Sequence, residues 1–228
     1  DQLKGQGFDT IDMVVVNLYP FVEVASKADV TLEEALEDID IGGPTMLRAA
    51  AKNFPSVAVV VDPADYSWVA DKMSGKGLSP EDRRNLAAKA FYHVSVYDTA
   101  VASYLTIPDA ETAGLPEHLT IPLIKTATLR YGENPHQQGG LYVAAGSSAK
   151  GSGGGIAGAR QLHGRELSYN NLMDADAVWR TVSDFGDLAV AVVKHANPCG
   201  LACHQDQVIA YQHAYEGDSV SAFGGIVG

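Results

Sequence analysis

Two polar segments combine residue types that move protons and stabilise charge, and the first is Lys194-His195-Ala196-Asn197-Pro198. It follows the apolar run Leu188–Val193, which predicts a strand that carries the segment to the edge of a sheet. A cation beside an imidazole favours the neutral, basic form of the ring, so Lys194 and His195 are candidates for general acid–base catalysis. The alternative is a strand-terminal Lys in solvent beside a His that caps a loop.

The second segment is Asp40-Ile41-Gly42-Gly43-Pro44-Thr45, in which an acid and two glycines precede a predicted helix. The free N–H groups at such a helix start bind developing negative charge. Side chains at the carboxyl ends of strands line the ligand crevice of an α/β sheet, so we expect Asn17, Tyr19, Asp40 and Lys52 to converge there. The alternative is a glycine turn with Lys52 as a solvated cation.

Two further polar runs, residues 129–137 and 167–172, have compositions that do not suit a core. Arg130 in the first run has a planar guanidinium that fits phosphate or carboxylate. A chain of net charge −12 needs such a local cation if its ligands are anions.

Two other patterns resemble known sites. Residues 153–158 match the dinucleotide fingerprint G-x-G-x-x-G, but they lie in a flexible-looking Gly/Ser run, so we interpret the match as accidental. His195, Cys199, Cys203 and His204 are zinc-ligand types, although their spacing differs from that of the zinc deaminases. Structural thiols are the favoured interpretation of the two cysteines, and zinc binding is the alternative.

Composition narrows the function classes. The 16 Lys and Arg against 28 Asp and Glu produce a field that repels nucleic acid and anionic bilayers. No apolar run approaches the ~20 residues of a membrane span, and the first residues lack the pattern of a secretory signal. We therefore expect a cytoplasmic protein with no nucleic-acid partner and no membrane partner.

Periodicity and capping signals predict an α/β layer architecture in the first part of the chain. Predicted strands cover Ile11–Val16 and Val57–Val61, and predicted helices cover Leu32–Asp38, Pro44–Lys52 with Pro44 first, Tyr66–Met73 and Pro80–Leu105. The second part has predicted strands over Leu119–Thr128, Leu141–Ala144 and Leu188–Val193, and predicted helices over Asn171–Val182 and Gln207–Tyr215. A Pro- and Gly-rich stretch between the two parts places the predicted domain boundary after residue 113, giving domains 1–113 and 114–228.

Six motifs together resemble the bifunctional purine biosynthesis enzymes that combine AICAR transformylase with IMP cyclohydrolase. They occupy residues 14–21, 40–53, 129–137, 167–171, 194–198 and 221–225, in the family's order. The resemblance implies an α/β fold in which the C-terminal part of a methylglyoxal-synthase-like cyclohydrolase domain precedes the start of a cytidine-deaminase-like transformylase domain.

The resemblance also implies roles for individual residues. The catalytic residues would be Lys194 and His195 in the transformylase, and Lys52, Asp40 and Tyr19 in the cyclohydrolase. The substrate-binding residues would be Arg130, Tyr131, Asn171, Gly42 and Gly43. The implied ligands are AICAR, formyl-AICAR and IMP, with 10-formyltetrahydrofolate as formyl donor, no catalytic metal, and a homodimer as the assembly.

By the same resemblance, the chain starts inside the cyclohydrolase and stops early in the transformylase. We therefore expect the isolated chain to lack both activities, because the family's first phosphate-binding loops and last folate contacts fall outside it. The alternative function is that of a non-catalytic dimerisation or nucleotide-binding segment.

Overall fold

The structure is a computed structural model that describes residues 2–106, 116–145 and 155–228. The chain divides into two compact units, unit 1 (residues 1–122) and unit 2 (residues 123–228). The predicted boundary after residue 113 lies outside the described residues, as do residues 146–154 of the predicted Gly/Ser loop, which include the first two positions of its glycine fingerprint. Within the described residues, no helix is both long enough and apolar enough to span a bilayer.

Unit 1 alternates helices with two short strands. Its elements are α1 (Gln2–Gly5), β1 (Met13–Val15), α2 (Phe21–Ala25), α3 (Leu32–Glu37), α4 (Gly42–Lys52), β2 (Ala58–Val60), a 3-10 turn (Pro63–Asp65), α5 (Tyr66–Met73) and α6 (Pro80–Leu105). β1 and β2 pair in parallel, with Met13 opposite Ala58 and Val15 opposite Val60. The predicted α/β class and the two predicted strands are confirmed, while the short helices α1 and α2 were not predicted.

β2 is buried along its whole length, so its side chains supply apolar surface to both sides of the sheet. Ala58 and Val60 pack with residues of α5, α6 and the segment between them, namely Val69, Leu78 and Leu86. Val59 and Val61 pack with residues of α4 and α6, namely Leu47, Ala50, Ala51, Ala87, Ala90 and Val94. The alternation follows from the two-residue period of a strand, and it seats helices on both faces.

Side chains that precede α3 and α6 fix where these helices begin. Thr31 Oγ1 accepts the N–H of Glu34 at 3.2 Å, and the Thr31 N–H donates to Glu34 Oε2 at 2.9 Å. Ser79 and Asp82 form the same reciprocal pair. Such a pair satisfies two N–H groups that have no acceptor within the helix, which stabilises the helix start. α3 begins at Leu32 and α6 at Pro80, so both predicted helix starts are confirmed.

The predicted start of α4 was wrong by two residues. α4 begins at Gly42 with Ile41 before it, so Pro44 is its third residue and not its first. Proline is tolerated there because the first four N–H groups of a helix have no intrahelical acceptor. The correction places both glycines inside the first turn of α4.

The described residues of unit 2 form two antiparallel sheets and two α-helices. Its elements are β3 (Leu123–Thr128), β4 (Gly140–Ala144), a 3-10 turn (Ile156–Gly158), α7 (Tyr169–Ser183), β5 (Ala189–Lys194), β6 (Asn197–Cys203), α8 (Gln207–Gly217) and β7 (Ile226–Val227). β3 pairs with β4, and β5 lies between β6 and β7. Both predicted helices and the predicted strands at β4 and β5 are confirmed, with ends shifted by a few residues.

Two strand predictions in unit 2 need correction. The strand predicted from Leu119 begins only at Leu123. Pro122, directly before it, has no N–H to donate to a ladder. β6 was not predicted at all, because Pro198 and Gly200 are residues that strands disfavour. Gly200 is required here for another reason, the close approach of α8.

We predict that Gly200→Ala destabilises unit 2 strongly. A Cβ atom at Gly200 would lie 1.8 Å from the carbonyl oxygen of Ala214, a backbone atom of α8. Overpacking of this kind costs about 1–3 kcal/mol or more in the free energy of unfolding. Denaturant unfolding measures the loss.

Gly186→Ala is the matched control, because a Cβ there has no atom within 4 Å. Its free energy of unfolding should stay within about 1 kcal/mol of the parent. Equal stability of the two variants would contradict the packing of α8 on β6.

Candidate functional sites

Asp40 lies where the chain enters α4 and holds that entry through both its side chain and its backbone. Its Oδ1 accepts the N–H of Gly43 at 2.7 Å, and its own N–H donates to the hydroxyl of Tyr97 at 2.7 Å. That hydroxyl in turn donates to the carbonyl of Asp38 at 3.2 Å. Burial raises the pKa of Tyr97, so the hydroxyl keeps its proton and remains a donor. Asp40 is thereby tied to α6 as well as to α4.

The two glycines of α4 have different surroundings. A Cβ on Gly43 would lie 2.5 Å from Asp40 Oδ2 and 2.6 Å from Leu18 Cδ2, whereas a Cβ on Gly42 would meet no atom within 4 Å. A side chain at position 43 would overlap Leu18, so the close packing of the Leu18 segment requires glycine there. Gly42 is exposed, and its N–H is one of the helix-start donors available to an anion.

The structure brings only part of the predicted crevice together. Tyr19 follows Leu18, which contacts the Gly43 position, and Tyr19 is 58% exposed. Lys52 is the last residue of α4, about 15 Å along the helix axis from Gly42 at 1.5 Å per residue. The structure thus brings Asp40 and Leu18 to Gly43, whereas the convergence of the Tyr19 side chain with them stays a prediction. The predicted convergence does not hold for Lys52, whose catalytic role stays a prediction.

Asn17 was expected to face the crevice, but its amide has two partners within the fold. Its Nδ2 donates to the carbonyl of Val61 at 3.2 Å, and its Oδ1 accepts the hydroxyl of Tyr66 at 2.7 Å. The first bond joins the ends of β1 and β2, and the second joins the end of β1 to the first residue of α5. Asn17 is accordingly a structural residue.

We predict that Gly43→Ala displaces Asp40 and lowers the stability of unit 1 by about 1–3 kcal/mol, since the new methyl group would lie within 2.6 Å of Asp40 Oδ2 and Leu18 Cδ2 and both side chains would have to shift. Gly42→Ala is the matched control, because it adds the same methyl group to the same helix turn in open space. Chemical or thermal unfolding compares the two. A Gly42→Ala loss as large as that of Gly43→Ala would show that helix geometry, not contact with Asp40, sets the requirement for glycine.

In unit 2, Lys194 and His195 lie at the tip of the β5–β6 hairpin. Lys194 pairs with Asn197 as the last rung of the ladder, so His195 and Ala196 form a two-residue turn. Both have positive φ angles, 54° and 58°. This matches the turn type that usually contains Asn and Gly, and L side chains are strained in it. Lys194 Nζ donates to the carbonyl of Phe223 at 2.9 Å.

A surface cavity of about 380 Å³ adjoins the turn. Lys194 and His195 line it together with Asp218 and Ser221, which the sequence analysis did not assign to a site. A hydrogen bond from the Ser221 side chain, followed by one from its N–H, lowers the pKa of Asp218. Ser221 belongs to one of the six motifs, but nothing in the spacing of Asp218 relates it to His195.

Arg130 and Tyr131 are fixed against the start of α7. Arg130 Nη2 donates to the Tyr131 hydroxyl at 3.1 Å, and the Arg130 Cζ atom lies 4.8 Å from the centre of the Tyr131 ring. A hydrogen bond with the Ser168 side chain, and then the one with Arg130, lower the pKa of Tyr131. Ser168 caps α7, and its N–H and hydroxyl both donate to Asn171 Oδ1. Three of the predicted binding residues therefore share one hydrogen-bonded group.

Arg130 and Asn171 also line a second cavity, of about 330 Å³, together with Arg165. The two guanidinium groups outnumber the Glu166 carboxylate that also lines this cavity, so its charge favours an anionic ligand. Among the described residues, Asn171 Nδ2 has no acceptor and is available to a ligand. Arg165 was missed, since an Arg in a polar loop carries no distinguishing signal in a single sequence.

The zinc alternative is wrong for the Cys/His cluster. Cys203 pairs with Ala189 at the far end of the β5–β6 ladder, whereas His195 is in the turn. Cys199 and Cys203 are four residues apart on β6, about 13 Å at 3.3 Å per residue. Among the residues described, no three His, Cys, Asp or Glu side chains group as they would around a metal. Cys199 instead packs against the core beside α8, as the structural interpretation predicted.

These elements and side chains define an α/β protein with a carboxylate at a helix start in the first unit, and with a Lys/His pair on one cavity and a cationic second cavity in the second unit. The chain belongs to the AICARFT/IMPCHase bienzyme family, whose family model matches residues 50–228. The resemblance drawn from the six motifs is thereby confirmed.

Curated relatives agree with the family match. The chain is 51% identical over 230 residues to the bifunctional purine biosynthesis protein PurH of Acidithiobacillus ferrooxidans, which covers 99% of this chain and 43% of the relative. It is 51% identical over 227 residues to PurH of Bacillus subtilis, with the same two coverages. The chain thus spans less than half the length of these relatives.

A solved structure, described as the crystal structure of ForH, is 35% identical and covers 46% of this chain and 55% of its own. Its TM-score is 0.37, so this likeness does not bear on the fold.

Proposed function

We propose that the protein containing this chain catalyses two steps of purine synthesis. The first is formyl transfer from 10-formyltetrahydrofolate to AICAR, and the second is dehydrative ring closure of formyl-AICAR to IMP. The observation that carries the proposal is the placement of Lys194 at the end of β5 and of His195 in the strained turn after it, with both side chains beside an open cavity. Membership of a family described as a bienzyme supports the assignment of two reactions.

For formyl transfer, His195 takes the proton from the AICAR amine as its nitrogen attacks the formyl carbon. The leaving group is the folate nitrogen, which gains a proton as its bond to the formyl carbon breaks. Lys194 is the donor beside the base, and it stabilises the negative charge that develops on the formyl oxygen or protonates the folate nitrogen. The hydrogen bond of Lys194 to the Phe223 carbonyl holds its ammonium group at the cavity edge.

The cationic cavity is the proposed nucleotide site. Arg130 and Arg165 suit the phosphate of AICAR, because guanidinium groups pair with phosphate oxygens in a bidentate geometry. Asn171 contributes an amide donor, and Tyr131 supports the Arg130 guanidinium through its hydroxyl. Binding at this cavity would offset the repulsion of an anion by a chain of net charge −12.

For ring closure, the carboxamide nitrogen of formyl-AICAR attacks the formyl carbon, and water then leaves. The helix-start N–H of Gly42 is the proposed binding site for the negative charge that develops on oxygen, and the N–H of Gly43 joins it where Asp40 releases that donor. Asp40 and Tyr19 are the proposed proton carriers. Lys52 is retained from the resemblance alone, since it lies at the other end of α4.

The proposed setting is the cytoplasm, and the proposed assembly is a homodimer, as the family resemblance implies. Each proposed step is acid–base chemistry performed by groups of this chain on small-molecule substrates.

The first test substitutes His195 in a protein of the relatives' full length that carries this sequence. His195→Ala should lower formyl transfer by ~10²-fold or more, the scale of a lost general base, while ring closure of formyl-AICAR continues. His118→Ala is the control, because His118 is exposed and has no hydrogen-bond partner among the described residues. An equal loss in both half-reactions would mean that the substitution damages folding and that the base is elsewhere.

The reciprocal test substitutes Asp40 in the same protein. Asp40→Asn keeps an oxygen that accepts the Gly43 N–H but removes the acid, so ring closure should fall by ~10²-fold with formyl transfer unchanged. Asp29→Asn, at an exposed position, is the control. Normal ring closure in Asp40→Asn would restrict Asp40 to a capping role.

A further inference from the structure

The turn that holds His195 has an unfavourable backbone for its sequence. His195 and Ala196 both adopt left-handed φ angles, which the Cβ atom disfavours in every residue except glycine. Within the hairpin, the turn is held by the Lys194–Asn197 pair and by a hydrogen bond from Asn197 Nδ2 to the His195 carbonyl at 2.7 Å. Both Asn197 and His195 are exposed, so water competes for that bond.

One contact comes to the turn from outside the hairpin. Asp174 Oδ1, on α7, accepts the N–H of Ala196 at 2.7 Å, between residues 22 positions apart in the chain. Asp174 is only 8% exposed. Its helix packs on β5 through Val178, which lies in one apolar cluster with Ala191 and Val193.

A carboxyl group in such a place loses hydration, and that loss is offset only where its oxygens receive hydrogen bonds. Val, Leu or Ala would extend the apolar contact of α7 with β5 without this cost. The Asp174 oxygen bonds to the turn formed by His195 and Ala196, which are the only non-glycine residues with positive φ in the part of the chain that the structure describes. The Asp174 carboxylate therefore stabilises the backbone of the turn by accepting the Ala196 N–H.

We propose that Asp174 is a positioning residue that holds the His195–Ala196 turn in its left-handed conformation and so sets the direction of the His195 imidazole into the cavity. This role rests on the proposed function of His195 as the base. Asp174 does not line the cavity that His195 lines, and its hydrogen bond goes to the backbone N–H of Ala196.

The kinetic test uses a protein of the relatives' full length that carries this sequence. Asp174→Ala should lower kcat for formyl transfer by ~10- to 10²-fold, because a misplacement of about 1 Å has an effect of that size. The KM for AICAR should change by less than about threefold, since Asp174 does not line the Arg130 cavity. Asp174→Asn retains an acceptor oxygen and should recover most of the rate.

A second substitution distinguishes an effect of Asp174 on the turn geometry from an effect on the stability of α7. Ala196→Gly in the Asp174→Ala background removes the strain at one turn position and should recover part of the lost kcat. Asp176→Ala is the control on the same helix, because the Asp176 carboxylate pairs with the exposed Arg180. Failure of both Asp174→Asn and the Ala196→Gly double variant to recover rate would overturn the proposal and leave Asp174 as a residue of helix stability.

Hydrogen exchange provides a readout that does not depend on activity. In the same protein, the amide of Ala196 should exchange faster in Asp174→Ala than in the parent, and at the parental rate in Asp174→Asn. Unchanged exchange at Ala196 in Asp174→Ala would overturn the positioning role whatever the kinetics show. Faster exchange in a protein whose parent transfers no formyl group would instead support the contact and reject the proposed function of His195.

Discussion

A strand covered by helices on both faces cannot slip by one residue, because a slip would exchange the two sets of side chains. β5 is such a strand. Val190 and Val192 pack towards α8, while Ala191 and Val193 pack towards α7. This fixed register determines where the chain leaves the sheet, so the Lys194 ammonium group meets the Phe223 carbonyl and the Ala196 N–H meets Asp174. The position of the candidate base depends on that burial.

The same features explain which elements the sequence predicted well. β2 and β5 are continuous apolar runs, and a run buried on both faces is a strong signal because no polar residue interrupts it. The capping pairs at Thr31 and Ser79 act within four residues, so the local sequence contains both partners. The predictions that the structure confirms are those whose physical cause lies within one element.

The features that the sequence did not predict depend on distant contacts. β6 contains a proline and a glycine, and it becomes a strand because β5 pairs with it and α8 needs Gly200 for close approach. Asp218 and Arg165 enter the two cavities through the folding of loops, which no periodicity describes. The separation of Lys52 from Asp40 follows from the length of α4 and its orientation. A single sequence lists these residues but does not contain their distances.

The two candidate sites hold negative charge by different means. In unit 2, the cavity of Arg130 and Arg165 uses charged side chains, which must be ordered to bind and which the Tyr131–Ser168 contacts restrain on one side. In unit 1, the start of α4 offers backbone N–H groups that the helix itself orients, and Asp40 already occupies the Gly43 donor. An anion at α4 must therefore either use the exposed Gly42 N–H or displace a carboxylate. This competition makes Asp40 a neighbour of any oxygen bound there, which is the geometry that proton transfer between the two would require.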